Sequence, residues 1–168
     1  MIRYMNLIGI KARKASWHKI NTKTKNRVLN DYAKLLSEKK RFIINQNLKD
    51  VKFAKKIKLR ENLINRLRLD QKKINDIKNS IIKIAKFDDP VNNVLDKWKR
   101  PNGLSFTKMS IPIGVIGVIY ESRPNVTSDI ASLCFKSGNV VILKGGSEAI
   151  NTNKILANLF RKSLKKNK

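Results

Sequence analysis

Two short runs constrain the fold of this 168-residue chain more than any other feature: VIGVIY at 115–120 and VVILK at 140–144. Each is apolar and rich in β-branched residues, and each is too short for a buried helix. Between them Val126 to Lys136 reads as a helix that stops at Ser137–Gly138. After the second run, Gly145–Gly146–Ser147 opens a last helix through Ile155, Leu156 and Leu159. Strand, helix, strand, helix with short connections specifies parallel strands joined by right-handed crossovers. Both strands are expected to be fully buried, as strands with helices on their faces are.

Upstream, the apolar period changes to that of helices. Val28, Tyr32, Leu35 and Leu36 share one face of KNRVLNDYAKLLSEKK, and Ile44, Leu48, Val51 and Ala54 repeat the spacing in the next segment. Asp70 is placed to cap a further helix with the stripe Ile74, Ile77, Ile81 and Ile84 or Ala85, which Asp88–Asp89–Pro90 should end. From Trp98, KWKRPNGLSFTKMSIPIG alternates around a Pro-Asn-Gly turn and reads as a hairpin. The chain therefore divides into a helical segment (1–97), a β-ribbon (98–113) and the first part of a nucleotide-binding α/β unit (114–168). The fold class is α/β, with an incomplete Rossmann-like parallel sheet.

Composition enters mainly through charge. The formal net charge is +26, a balance that raises nucleic acid as a partner. Lysine greatly exceeds arginine in this balance, the lysines fall singly over the chain with few aromatics between, and no recognition module accompanies them. No specific nucleic-acid partner is expected. The longest uncharged apolar run, Ile111 to Tyr120, is far below the ~20 residues that span a bilayer. The first residues lack a long apolar region and a cleavage site, so the expected location is cytoplasmic, with no membrane association. Cys134 is the only cysteine, which rules out an internal disulfide and a Cys-rich metal site; no metal is expected.

The candidate chemistry gathers after the two strands. Lys144–Gly145–Gly146–Ser147–Glu148 follows the second strand, where open α/β sheets bind ligands. The glycines allow close backbone approach, and a helix N-terminus with Lys144 suits a phosphate or the ribose edge of a nucleotide. The same residues also read as a tight turn with Ser147 as an ordinary N-cap. Glu121–Ser122–Arg123–Pro124–Asn125 leaves the first strand at the same edge, where Arg123 and Asn125 can hold an anion or stabilise an oxyanion. The alternative makes Asn125 a helix cap and Arg123 a surface residue. Gly114 and Gly117 lack the dinucleotide spacing and read as sites of close strand packing. Cys134, between Leu133 and Phe135, reads as a core thiol, and His18 lies in a basic helical stretch without a partner.

Residues 111–153, IPIGVIGVIYESRPNVTSDIASLCFKSGNVVILKGGSEAINTN, closely resemble the signature region of the gamma-glutamyl phosphate reductase family, within the aldehyde dehydrogenase superfamily. ARKASW, KTKNRVLNDYAKLL, IINQNLKDV and DPVNNVLDKWKRPNGL resemble the same family in the same order. The resemblance implies an aldehyde-dehydrogenase type of sheet. It also implies NADPH-dependent reduction of L-glutamate 5-phosphate to L-glutamate 5-semialdehyde and phosphate in proline biosynthesis, through a cysteine thioester. It gives Asn125 an oxyanion role and Lys144, Gly145, Gly146, Ser147 and Glu148 a cofactor role, with Ser147 or Glu148 reading the 2′ position. The 98–113 ribbon becomes an oligomerisation element, and the partners implied are further copies or a complementary C-terminal chain. Three positions depart from the family's habit: Lys144 for arginine, Asn92 for glycine and Asn65 for aspartate. Cys134 does not match the family's nucleophile, so the chain is expected to be inactive alone.

Overall fold

The computed structural model describes residues 2–167. Five helices come first: α1 (Ile2–Ser16), α2 (Thr22–Glu38), α3 (Lys40–Lys56), α4 (Glu61–Leu67) and α5 (Gln71–Lys86). A hairpin, β1 (Val94–Lys99) and β2 (Ser105–Met109), leads to β3 (Val115–Tyr120), α6 (Pro124–Lys136), β4 (Val140–Gly145) and α7 (Ile150–Lys166). A 3-10 turn over Ser147–Ala149 joins β4 to α7.

Local chemistry accounts for most boundaries. Asn21 accepts from the Thr24 N–H at the start of α2, and Asp70 accepts from the Lys73 N–H at 2.7 Å at the start of α5. Pro124 occupies the first turn of α6, where its missing N–H costs nothing. Asn92, where glycine was expected, has φ 63°, a left-handed conformation that asparagine tolerates better than most residues. The hairpin begins at Val94, four residues before the expected Trp98, and a bulge between Val94 and Asp96 adjusts its register.

The core is helical. Leu29, Tyr32, Ala33 and Leu36 of α2 interlock with Ile74, Ile77, Ile81, Ile84 and Ala85 of α5 and with Leu156, Leu159 and Phe160 of α7. Tyr32 meets the edge of Phe160 at 5.0 Å between ring centroids. On α3 the expected stripe is displaced: Leu48 is exposed, and the buried face carries Ile43, Asn47, Asp50, Val51 and Ala54. Two polar side chains take core positions there because they have partners, described below.

The sheet is less covered than expected. β3 and β4 pair in parallel and form a sheet of two strands, while the hairpin forms a separate one. Neither β3 nor β4 is fully buried, and Ile119 is 83% exposed. α6 packs on β4, α1 touches both strands, and Asn153 of α7 approaches Gly145 at the end of β4. Gly114 and Gly117 have open space where a side chain would be, so close packing does not explain them; Gly114 has φ +116°. His18 lies beyond the end of α1 and is exposed.

Candidate active site at the carboxyl end of the parallel strands

The parallel register sets Ile119 opposite Lys144 and Tyr120 opposite Gly145, so the 121–125 loop and the 145–148 turn leave the sheet side by side. A short bridge joins them. Glu148 Oε1 accepts from the Ser122 backbone N–H at 2.6 Å and from the Ser122 hydroxyl at 2.9 Å. Ser122 is buried and has φ 44°, an unfavourable conformation for a residue with a Cβ. Beneath the turn, Tyr120 Oη and Thr127 Oγ1 are 2.6 Å apart, and Thr127 Oγ1 donates to Asn153 Oδ1 at 2.9 Å.

The two glycines fit around these side chains. A Cβ on Gly145 would strike the Asn153 amide and the Tyr120 ring, and one on Gly146 would strike the Glu148 carboxylate. Their immediate need is therefore close approach of the protein's own groups. Ser147 is exposed and caps nothing: the turn starts at Gly146 without a side-chain cap, and α7 starts after Ala149 without a local one.

The cap of α7 comes from far away in sequence. Asp50 of α3 accepts from the backbone N–H groups of Asn151 (3.1 Å) and Thr152 (2.7 Å), from the Asn151 amide (2.8 Å) and from the Thr152 hydroxyl (2.6 Å). A carboxylate at a helix N-terminus answers both its free donors and its dipole. Asn47 extends the network: its amide donates to Leu67 O and Thr152 Oγ1, and its Oδ1 accepts from the Leu69 N–H. The expectation of a helix end with free N–H groups is thus corrected, since Asp50 already satisfies two of them. The only advance signal was two polar residues, Asn47 and Asp50, three apart on an otherwise apolar face.

Asn125 sits inside the first turn of α6 and does not cap it; Arg123 occupies the cap position and is exposed. The Asn125 amide donates to Asp129 Oδ2 at 3.2 Å, which leaves its other N–H for a ligand. Burial pushes the Asp129 carboxyl above its usual range, against hydrogen bonds from Asn125 and Ser80. Lys144 is exposed and makes no salt bridge among the described residues. Cys134 is buried, as the sequence indicated, and burial pushes its thiol up, away from the thiolate.

The chain as a whole is similar to known proteins. The chain is 53% identical over 143 residues to a gamma-glutamyl phosphate reductase of Aliarcobacter butzleri, covering 85% of this chain and 35% of that one. The crystal structure of gamma-glutamyl phosphate reductase from Thermotoga maritima superposes with a TM-score of 0.89 at 38% identity, over 93% of this chain and 38% of that one. An NAD-dependent benzaldehyde dehydrogenase from Corynebacterium glutamicum shares the fold alone, at a TM-score of 0.67 and 19% identity over 90% of this chain and 31% of that one. The chain spans about a third of the length of the curated relatives it matches. No family model matches it.

Proposed function

We infer that this chain, which belongs to the gamma-glutamyl phosphate reductases over about a third of their length, contributes the first part of the nicotinamide-binding half of such a reductase. The observation that carries this reading is the register of β3 on β4, which brings the Asn125 loop and the Lys144 turn to one edge of the sheet. Ligands of open α/β sheets bind at that edge.

The residues fit an anionic dinucleotide in a particular way. Lys144 offers an exposed ammonium, and Ser147 an exposed hydroxyl, while the two nearby carboxylates, Asp50 and Glu148, are engaged inside the protein. Lys144 would hold the adenosine ribose and the 2′-phosphate of NADPH, which supplies the hydride when bound. Asn125 would donate its free amide N–H to the carbonyl oxygen of glutamyl 5-phosphate as that oxygen gains negative charge. Cys134 is buried away from such chemistry, so the nucleophilic thiol and the remaining strands are assigned to polypeptide outside this sequence. That polypeptide would also cover β3 and β4, and the exposed hairpin would pair with further copies.

The experiment joins the chain to the remaining two-thirds of the Aliarcobacter reductase and measures phosphate-dependent reduction of NADP with glutamate semialdehyde. The chimera is expected to turn over and the 168-residue chain alone to show none. A folded chimera without activity, or turnover by the chain alone, would sink the reading.

A further inference from the structure

We propose that Glu148 is a positioning residue, whose carboxylate holds Ser122 in the left-handed turn from which Pro124 and Asn125 enter α6. Three observations carry this. The Ser122 N–H and hydroxyl both end on Glu148 Oε1, at 2.6 and 2.9 Å. Ser122 has φ 44° and is 2% exposed, so an unfavourable backbone conformation is held in place by something that faces it. The carboxylate folds across Gly146, in the space a side chain there would need, and so lies over its own turn. Glu148 is thereby committed to the loop of the other strand and is not the group that meets the ribose. The tie makes the β3–α6 loop and the β4–α7 turn one unit: the position of Asn125 depends on a residue 23 positions later. The catalytic consequence rests on the oxyanion role proposed for Asn125; the structural tie does not.

The test on the full 168-residue chain follows amide hydrogen exchange at residue 122 and at Val126, whose N–H donates to Arg123 O in the first turn of α6. E148Q keeps an oxygen that accepts both bonds and is expected to protect both amides as the native chain does. E148A is expected to speed exchange at both about ten-fold or more, since both hydrogen bonds that hold Ser122 lose their acceptor. Adding Ser122→Gly, which takes a positive φ without strain, should restore Val126 but not residue 122. Native protection at both amides in E148A overturns the proposal. Should E148A unfold the chain, the double variant decides: refolding by Ser122→Gly supports the tie, and an unfolded double variant overturns it. In the chimera, E148A should lower turnover by on the order of ten- to a hundred-fold with the KM for NADPH within about two-fold of native. A raised KM at unchanged turnover would return Glu148 to the cofactor. If Asn125→Ala leaves turnover intact, the functional reading fails while the exchange result stands.

Discussion

Lys144 and Asn125 leave the same sheet edge with different chemistry available to them. Lys144 is an exposed point charge, so its loss should be felt mainly by the ligand group carrying the most negative charge. In the chimera, Lys144→Ala should raise the KM for NADPH about ten-fold or more, and that for NADH much less, since a charge-assisted contact contributes on the order of 1.5–3 kcal/mol. Equal effects on the two cofactors would place the 2′-phosphate elsewhere. Asn125→Ala should instead lower kcat with little change in the KM for NADPH, since in the role proposed for it the amide would act on charge that develops during reaction. Asp50 is a different kind of residue, buried and fully occupied by four donors of α7. Asp50→Ala strands those donors and should lower the unfolding free energy by about 3 kcal/mol, read from a denaturant melt. A cost below about 1 kcal/mol would mean that water replaces the cap.

At the scale of elements, the join between α2 and the segment after α5 is sensitive to pH. Lys25 is buried on α2 and donates to both oxygens of Asp89, at 3.0 and 2.9 Å, while Thr22 adds a third bond. Burial alone would push the Asp89 carboxyl up, but the bonds from Lys25 and Thr22 outweigh it and hold the carboxyl below its usual value. Its folded pKa is thus lower than its unfolded one. The stabilisation is present above the ordinary carboxylate range and is lost as pH falls through the folded value. Asp31, held down by Asn167 and Lys166, acts in the same direction where α7 meets α2. Asp89→Asn should lower stability at neutral pH by about 3 kcal/mol, because the Lys25 ammonium stays buried without its partner. It should also shrink the acid-induced loss; an unchanged acid limb in urea melts across pH would show that Asp89 does not drive it.

On the scale of the whole molecule, the net charge of +26 faces outward from a helical core and a thinly covered sheet. Few of its lysines are paired, with three salt bridges among the described residues. The expected result is weak, non-selective binding to DNA or RNA at low salt that disappears by physiological salt, measured by titration of labelled duplex and single strands. Selective binding that survives physiological salt would show a built recognition surface. No described helix is long and apolar enough to cross a membrane. Large apolar side chains are exposed on and just after α1 and on the hairpin and β3 approach alike, with Trp17, Ile111 and Ile113 71%, 78% and 83% exposed. An apolar groove of about 650 Å³, lined by Val141, Leu143, Ala131 and Phe160 among others, adjoins β4.

Features that depend on near neighbours are legible in the amino-acid order. The stripes of α2 and α5, the Asp70 cap, the proline stop, the order of strands and helices, and the buried Cys134 all follow from periodicity and local hydrogen bonding over a few residues. The parallel pairing could be read as well, because a crossover helix of this length has essentially one hand. The remaining features depend on contacts between elements distant in sequence. Asp50 and Asn47 look like misplaced polar residues until the N-terminus of α7, about a hundred positions later, arrives to use them. Leu48 fits the apolar spacing of α3, yet the buried face carries Asn47 and Asp50 and Leu48 is exposed. The bridge from Glu148 to Ser122 likewise exists only because the register of β3 on β4 brings the two turns together. Such groups are stabilised by partners remote in sequence, and a buried polar group is favourable only when those partners are in place. Periodicity measures how a residue relates to its own element, whereas hydrogen-bond satisfaction in the interior is a property of the assembled fold.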